Sequence, residues 1–213
     1  MSAHPPNPLL LQARGLGFAF EPGGPPLLHG LDLVLRPGLT LVQGDEGTGK
    51  STLLRLLAGR LAPTAGVLQR HADTLYADDA QDPADDALPA QQWLALRRAR
   101  HAGWQAATEQ ALLDGFALQE HLHKRLDMLS TGSRRKVGLV AAAASGAALT
   151  LLDTPFAALD APSSRVLGQV LAKAAAGHER AWVVADYGVP PLLSGVALAG
   201  LIQLGDPGDG TGG

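Results

Sequence analysis

The chain has 213 residues, 46% of them hydrophobic, enough for one domain with a buried core and a subdomain. A formal charge of −3 and a pI of about 6.1 give no overall pull toward nucleic acid. With no cysteine, disulfide and thiolate chemistry are excluded, which suits the cytosol. Met1-Ser2-Ala3-His4-Pro5-Pro6 lacks the basic start and apolar core of a signal peptide.

In chain order, the segment from Leu9-Leu10-Leu11 through Phe20 and the run Leu31 to Leu35 read as strands, joined by a Gly-Pro-rich turn over Pro22 to Pro26. Leu39-Thr40-Leu41-Val42 reads as a buried strand, and Leu53 to Ala58 as a helix closed by Gly59. Val67-Leu68 and Thr74-Leu75-Tyr76 are short strands. Asp78 to Pro89, acidic and holding two prolines, reads as an exposed, solvated loop. Ala90 to Arg100 and Trp104 to Leu118 carry helical spacing, with Trp93, Leu94 and Leu96 expected toward the core and Arg97, Arg98 and Arg100 toward solvent. Ala80 to Met128 is therefore expected to form a helical insert, the body of a subdomain at about 80–135 within an α/β core.

Val137 to Leu152 has no charged residue but is shorter than the ~20 apolar residues of a spanning helix. It reads as a buried helix, a turn at Ser145-Gly146, and a buried strand. A helix over Ser163 to Ala175, a strand over Ala181 to Ala185 and a last strand over Val196 to Leu204 follow. Gly205 to Gly213 is expected to be a flexible tail, and the whole chain, 1–213, a single domain.

Between the third strand and the first helix stands Gly44-Asp45-Glu46-Gly47-Thr48-Gly49-Lys50-Ser51-Thr52. This is Gly, four residues, then Gly-Lys-Ser: a phosphate-binding loop in its proper strand–loop–helix setting. Glycines let backbone N–H groups turn inward around phosphates, and the helix N-terminus adds partial positive charge. Lys50 is expected at the β- and γ-phosphates, and the Ser51 hydroxyl on Mg²⁺. Asp45 and Glu46 are expected to point away from the ligand. The reading is a nucleoside-triphosphate site.

A second motif narrows the class. Leu129-Ser130-Thr131-Gly132-Ser133-Arg134-Arg135-Lys136 opens the apolar helix. Leu149-Thr150-Leu151-Leu152-Asp153 ends the next strand, and Ala158-Leu159-Asp160 follows. In this order the chain resembles the nucleotide-binding subunits of ATP-binding-cassette (ABC) proteins over roughly Leu9 to Gly205. The resemblance implies a P-loop NTPase core of ABC type: a mixed sheet with flanking helices, a small antiparallel β region and a helical insert. It implies ATP and Mg²⁺ as ligands, with Phe20 stacking on adenine and Ser51 and Asp153 on the metal. Two cassettes, identical or different, are expected to pair head to tail. Ser130, Thr131, Gly132 and Ser133 of each, aligned with the family's Leu-Ser-Gly-Gly-Gln signature, would then reach the partner's γ-phosphate, with Asp160 in the D-loop. An integral membrane subunit is the implied further partner, placing the chain at the cytoplasmic face of a membrane. Leu129 to Lys136 and the run from Pro155 also resemble the short cassettes of haem-export and related export systems, from which no substrate follows.

Departures from the family pattern concentrate on hydrolysis. Thr154 occupies the position of the Glu that polarises water, and a threonine is no base near neutral pH; losing a positioned base costs ~10²–10⁴-fold in rate. Tyr187 stands for the switch histidine. Asp79 aligns with the Q-loop glutamine, with Gln81 two residues on as an alternative. The expectation is a cassette that binds Mg-ATP and hydrolyses it weakly or not at all, unless Asp160 or Asp186 supplies the missing acid. The other functional class is a soluble nucleotide-gated regulator without a transporter. Nucleic acid is not expected as a partner, and His121 and His123 find no metal-ligand spacing.

Overall fold

The computed structural model describes residues 8–76 and 80–205. Asp79 and the tail beyond Gly205 lie outside them. Strands β1 (Leu11–Phe18), β2 (Leu28–Leu35) and β4 (Ala65–Arg70) form an antiparallel sheet in the order β2-β1-β4. A second sheet holds β3 (Gly38–Gln43), β5 (Thr74–Tyr76), β6 (Leu149–Asp153), β7 (Ala181–Asp186) and β8 (Gly200–Gln203), in the order β5-β6-β7-β3-β8. Every pairing in it is parallel. The two sheets together give the mixture of parallel and antiparallel pairing expected from the sequence.

The three central strands are near-continuous apolar runs because both of their faces are covered. Alternation along β7 sorts its residues between two cores. Ala181, Val183 and Ala185 join Leu149 and Leu151 against α1 (Lys50–Leu57) and the antiparallel sheet. Trp182 and Val184 join Leu39, Leu41 and Leu152 on the other face, against α4 (Thr131–Ala144) and α5 (Ala161–Ala175). That second core continues without a break into the insert through Trp93, Leu94, Leu112, Leu113 and Phe116. Parallel register brings the C-terminal ends of β3, β6 and β7 to one edge: Gln43 pairs with Asp186, and Asp153 with Ala185. The candidate nucleotide site described below is built at this edge.

The insert consists of α2 (Ala90–Arg100), α3 (Ala106–Gly115) and single 3₁₀ turns. Glu109 is buried and accepts hydrogen bonds from Arg98 (2.7 Å) and the Trp104 indole (2.7 Å), joining the two helices. Three expectations need correction. Leu96 does not face the core; it is 45% exposed. Arg97 is largely buried rather than solvated, lying 4.6 Å from the Trp93 ring and pairing with Asp85 at 3.1 Å. Nor is the acidic stretch plain solvated loop. Ala80 is fully buried, Asp85 accepts from Trp93 Nε1 at 2.8 Å, and Asp86 pairs with Arg134 at 2.7 Å. The negative charges there are partners for cations on α2 and α4. Among the described residues, no helix is long and apolar enough to cross a membrane.

Candidate nucleotide site and signature surface

The phosphate loop springs from the end of β3. A Cβ on Gly44 would lie 2.5 Å from Thr48 Oγ1 and 2.6 Å from the Leu204 carbonyl, so no larger residue fits. Gly49 caps α1 in the left-handed region, φ +95°, where a side chain would also strike Leu28. The helix begins at Lys50, three residues before the apolar spacing starts, so Lys50, Ser51 and Thr52 sit in its first turn. Lys50 is buried, and its ammonium donates to the carbonyls of Gly44 (2.6 Å) and Asp45 (2.7 Å). Asp45 and Glu46 are exposed.

Two neighbouring strand ends complete this cluster. Asp153, buried, closes β6. Thr154 follows with φ +40°, an uncommon conformation for a β-branched residue, and its N–H donates to Ala185 at 2.8 Å. Asp186 ends β7 half-buried, accepting from the Tyr187 N–H at 2.8 Å. Burial pushes its carboxyl pKa up; the Tyr187 N–H and the Lys50 charge oppose the rise, and Asp153 adds to it. The Tyr187 ring lies over the Lys50 ammonium, 4.4 Å from centroid to nitrogen. The structure thus brings together Lys50, Asp153 and the Asp186-Tyr187 pair from three distant stretches of the sequence.

Ser130 to Ser133 belong to a different surface. Ser130 is the N-cap of α4: its Oγ accepts from the Ser133 N–H at 3.1 Å. Gly132 has no room for a Cβ, because the Ala158 carbonyl packs on it. Ala158 itself has φ +61°. Asp160 caps α5 through the Ser163 N–H (2.8 Å) and pairs with Lys136 at 2.8 Å. Lys136 and Ser163 hold its carboxyl well below the usual carboxylate range. Ser130, Gly132, Lys136, Ala158 and Asp160 line a cavity of about 630 Å³ that contains no phosphate-loop residue.

Three site cations went unassigned in the sequence reading, although their run, Arg134-Arg135-Lys136, follows directly on the signature. Successive helical residues point about 100° apart, and each takes a different partner. Arg134 donates to the carbonyls of Ala80 (2.6 Å) and Asp82 (3.1 Å). Arg135 Nη1 donates to those of Asp153 (3.0 Å) and Thr154 (2.5 Å). Lys136 holds Asp160.

The ABC transporter family model matches residues 28–157. The chain belongs to that family. As an ABC ATP-binding subunit it is 34% identical to a cytochrome c biogenesis ATP-binding export protein (CcmA) of Ruegeria pomeroyi, over 67% of this chain and 69% of that protein. It is 33% identical to a phosphonates import ATP-binding protein (PhnC 2) of Albidiferax ferrireducens, over 73% of this chain and 66% of that one. An aliphatic sulfonates import ATP-binding protein (SsuB 1) of Nocardia farcinica is 34% identical over 86% and 74%. In fold, the cassette matches an ATP-binding subunit of an ABC transporter with TM-score 0.74 at 19% identity, covering 92% of this chain and 85% of that one. A nucleotide-free ATP-binding cassette gives TM-score 0.69 at 16% identity, with coverage of 92% and 87%.

The donor chemistry fits a hard cation held jointly with phosphate oxygens: one hydroxyl, Ser51, opening α1, and one buried carboxylate, Asp153. No group of three or more His, Cys, Asp or Glu able to hold a metal alone occurs among the described residues, His121 and His123 included. Phe20 is 75% exposed and steadied edge-to-face by Phe18, centroids 5.2 Å apart.

Proposed function

We propose that this ABC subunit binds Mg-ATP between its own phosphate loop and the signature surface of a second cassette, and that its own site hydrolyses ATP slowly or not at all. Phe20 stacks on adenine, the loop from Gly44 to Thr52 wraps the phosphates, and Ser51 and Asp153 hold Mg²⁺. When bound, the ion neutralises phosphate charge. Ser130, Thr131, Gly132 and Ser133 present a helix N-terminus to the partner's γ-phosphate. The cassette stays at the cytoplasmic face of a membrane through an integral subunit, gating transport by opening and closing. The relatives named above serve both export and import, so no cargo is assigned.

One observation carries the impaired reading: the turn after Asp153 presents Thr154, whose hydroxyl is not a usable base. Asp160 is a poor substitute because it is committed to Lys136 and the α5 cap. Asp186 is the acid that remains near Lys50 and Asp153. The test is steady-state Mg-ATP hydrolysis by the purified chain, with Lys50→Ala as the blank. Turnover equal to the blank is expected. Turnover above it that disappears in Asp186→Asn would overturn the reading and make Asp186 the base.

A further inference from the structure

The Lys50 ammonium has three protons to give. Two go to the Gly44 and Asp45 carbonyls, at 2.6 and 2.7 Å. On its remaining side lies the face of the Tyr187 ring, 4.4 Å from the nitrogen. A lysine so surrounded has all its directions taken by its own chain. A terminal phosphate reaching Lys50 must displace either a carbonyl or the ring. The carbonyls belong to the loop's own backbone, and that of Asp45 also accepts from the Thr48 hydroxyl at 2.9 Å. The ring sits on a side chain that is 60% exposed, at the start of the segment Tyr187-Gly188-Val189 after β7. It is the partner that can leave.

We infer that Tyr187 acts through its ring face as a cap on Lys50, competing with the nucleotide's phosphates for the ammonium and weakening nucleotide binding. The hydroxyl plays no part in this cap, because a cation over an aromatic face is held by the ring quadrupole. The inference rests on the reading of Lys50 as a phosphate ligand.

The experiment is isothermal titration calorimetry of the purified chain with Mg-ATP and Mg-ADP, comparing the parent with Tyr187→Ala, Tyr187→Phe and Lys50→Ala. At a solvent-exposed site the ring contact corresponds to about a two- to fivefold change in affinity. Tyr187→Ala is expected to bind both nucleotides tighter by that factor. Tyr187→Phe, which keeps the ring and loses the hydroxyl, is expected to bind like the parent. Equal or weaker binding by Tyr187→Ala overturns the cap. So does a Tyr187→Phe variant that departs from the parent in either direction, since that assigns the role to the hydroxyl. Lys50→Ala separates this failure from a failure of the underlying reading. If Lys50→Ala binds ATP as tightly as the parent, the loop is not the phosphate site at all. Tyr187 is exposed, so the variants are expected to fold, which a thermal melt of each one checks.

Discussion

Thr154 keeps a backbone posture that its own side chain does not favour. At φ +40° a β-branched residue is strained by about 1–3 kcal/mol, and the strain persists because Arg135 holds the carbonyls on both sides of the turn while Ala185 holds the N–H. On the proposed reading, this held turn is where a base would stand, and Thr154 lacks the carboxylate. Thr154→Glu is expected to raise Mg-ATP turnover on the order of 10²-fold over the parent, measured as phosphate release against Lys50→Ala. Asp186 gives a second prediction. Burial raises its folded pKa above the unfolded value, so its contribution to stability is fully present below the unfolded pKa and is lost as pH rises through the folded one. At neutral pH the ionised group is a net cost. Asp186→Asn, which keeps the oxygen that accepts from Tyr187, should melt higher than the parent at about pH 7–8, with the gap closing as pH falls toward about 4. Thr154 was readable from the sequence because it adjoins Asp153. The ring of Tyr187 over Lys50 was not, because the contact joins residues brought together only by the register of β3 and β7.

Secondary structure was legible where apolar spacing and burial coincide, as along β3, β6 and α4. It was misjudged where they part. The run from Val196 is apolar, yet only Gly200–Gln203 pairs in the sheet; Val196 and Leu198 pack against the core from a loop. Conversely α1 starts at Lys50, before any apolar signal, because Gly49 sets the cap. Side-chain hydrogen bonds between elements left no trace in periodicity, and those of Arg180 are the clearest. Its guanidinium donates to the carbonyls of Ala142 (3.0 Å), Ala143 (3.0 Å) and Ala147 (2.8 Å) and to the buried Thr150 hydroxyl (3.0 Å), joining β7 to the end of α4 and the start of β6. Arg180→Ala removes the donor from those acceptors, only one of which, the Ala142 carbonyl, keeps the Ser145 hydroxyl at 3.0 Å, at a cost of about 2–4 kcal/mol. A drop in melting temperature of roughly 5–15 °C is expected in a calorimetric scan.

The insert and the α/β core share one hydrophobic cluster, running from Leu39 and Trp182 through Val137 to Trp93 and Phe116. Neither half closes its apolar surface without the other. Urea unfolding followed by tryptophan fluorescence, with Trp93 and Trp104 reporting the insert and Trp182 the core, is expected to coincide with far-ultraviolet circular dichroism in a single transition. Single-tryptophan variants with separated midpoints would refute this. The same integration shapes how the insert can respond to a ligand. Arg134, immediately after Ser133, clasps the backbone at Ala80 and Asp82 and the carboxylate of Asp86, so the outgoing and returning stems of the insert are riveted together at their base. A riveted base transmits torque. Any push on the signature helix is therefore felt by both stems at once, as a load on a keystone is felt by both sides of an arch.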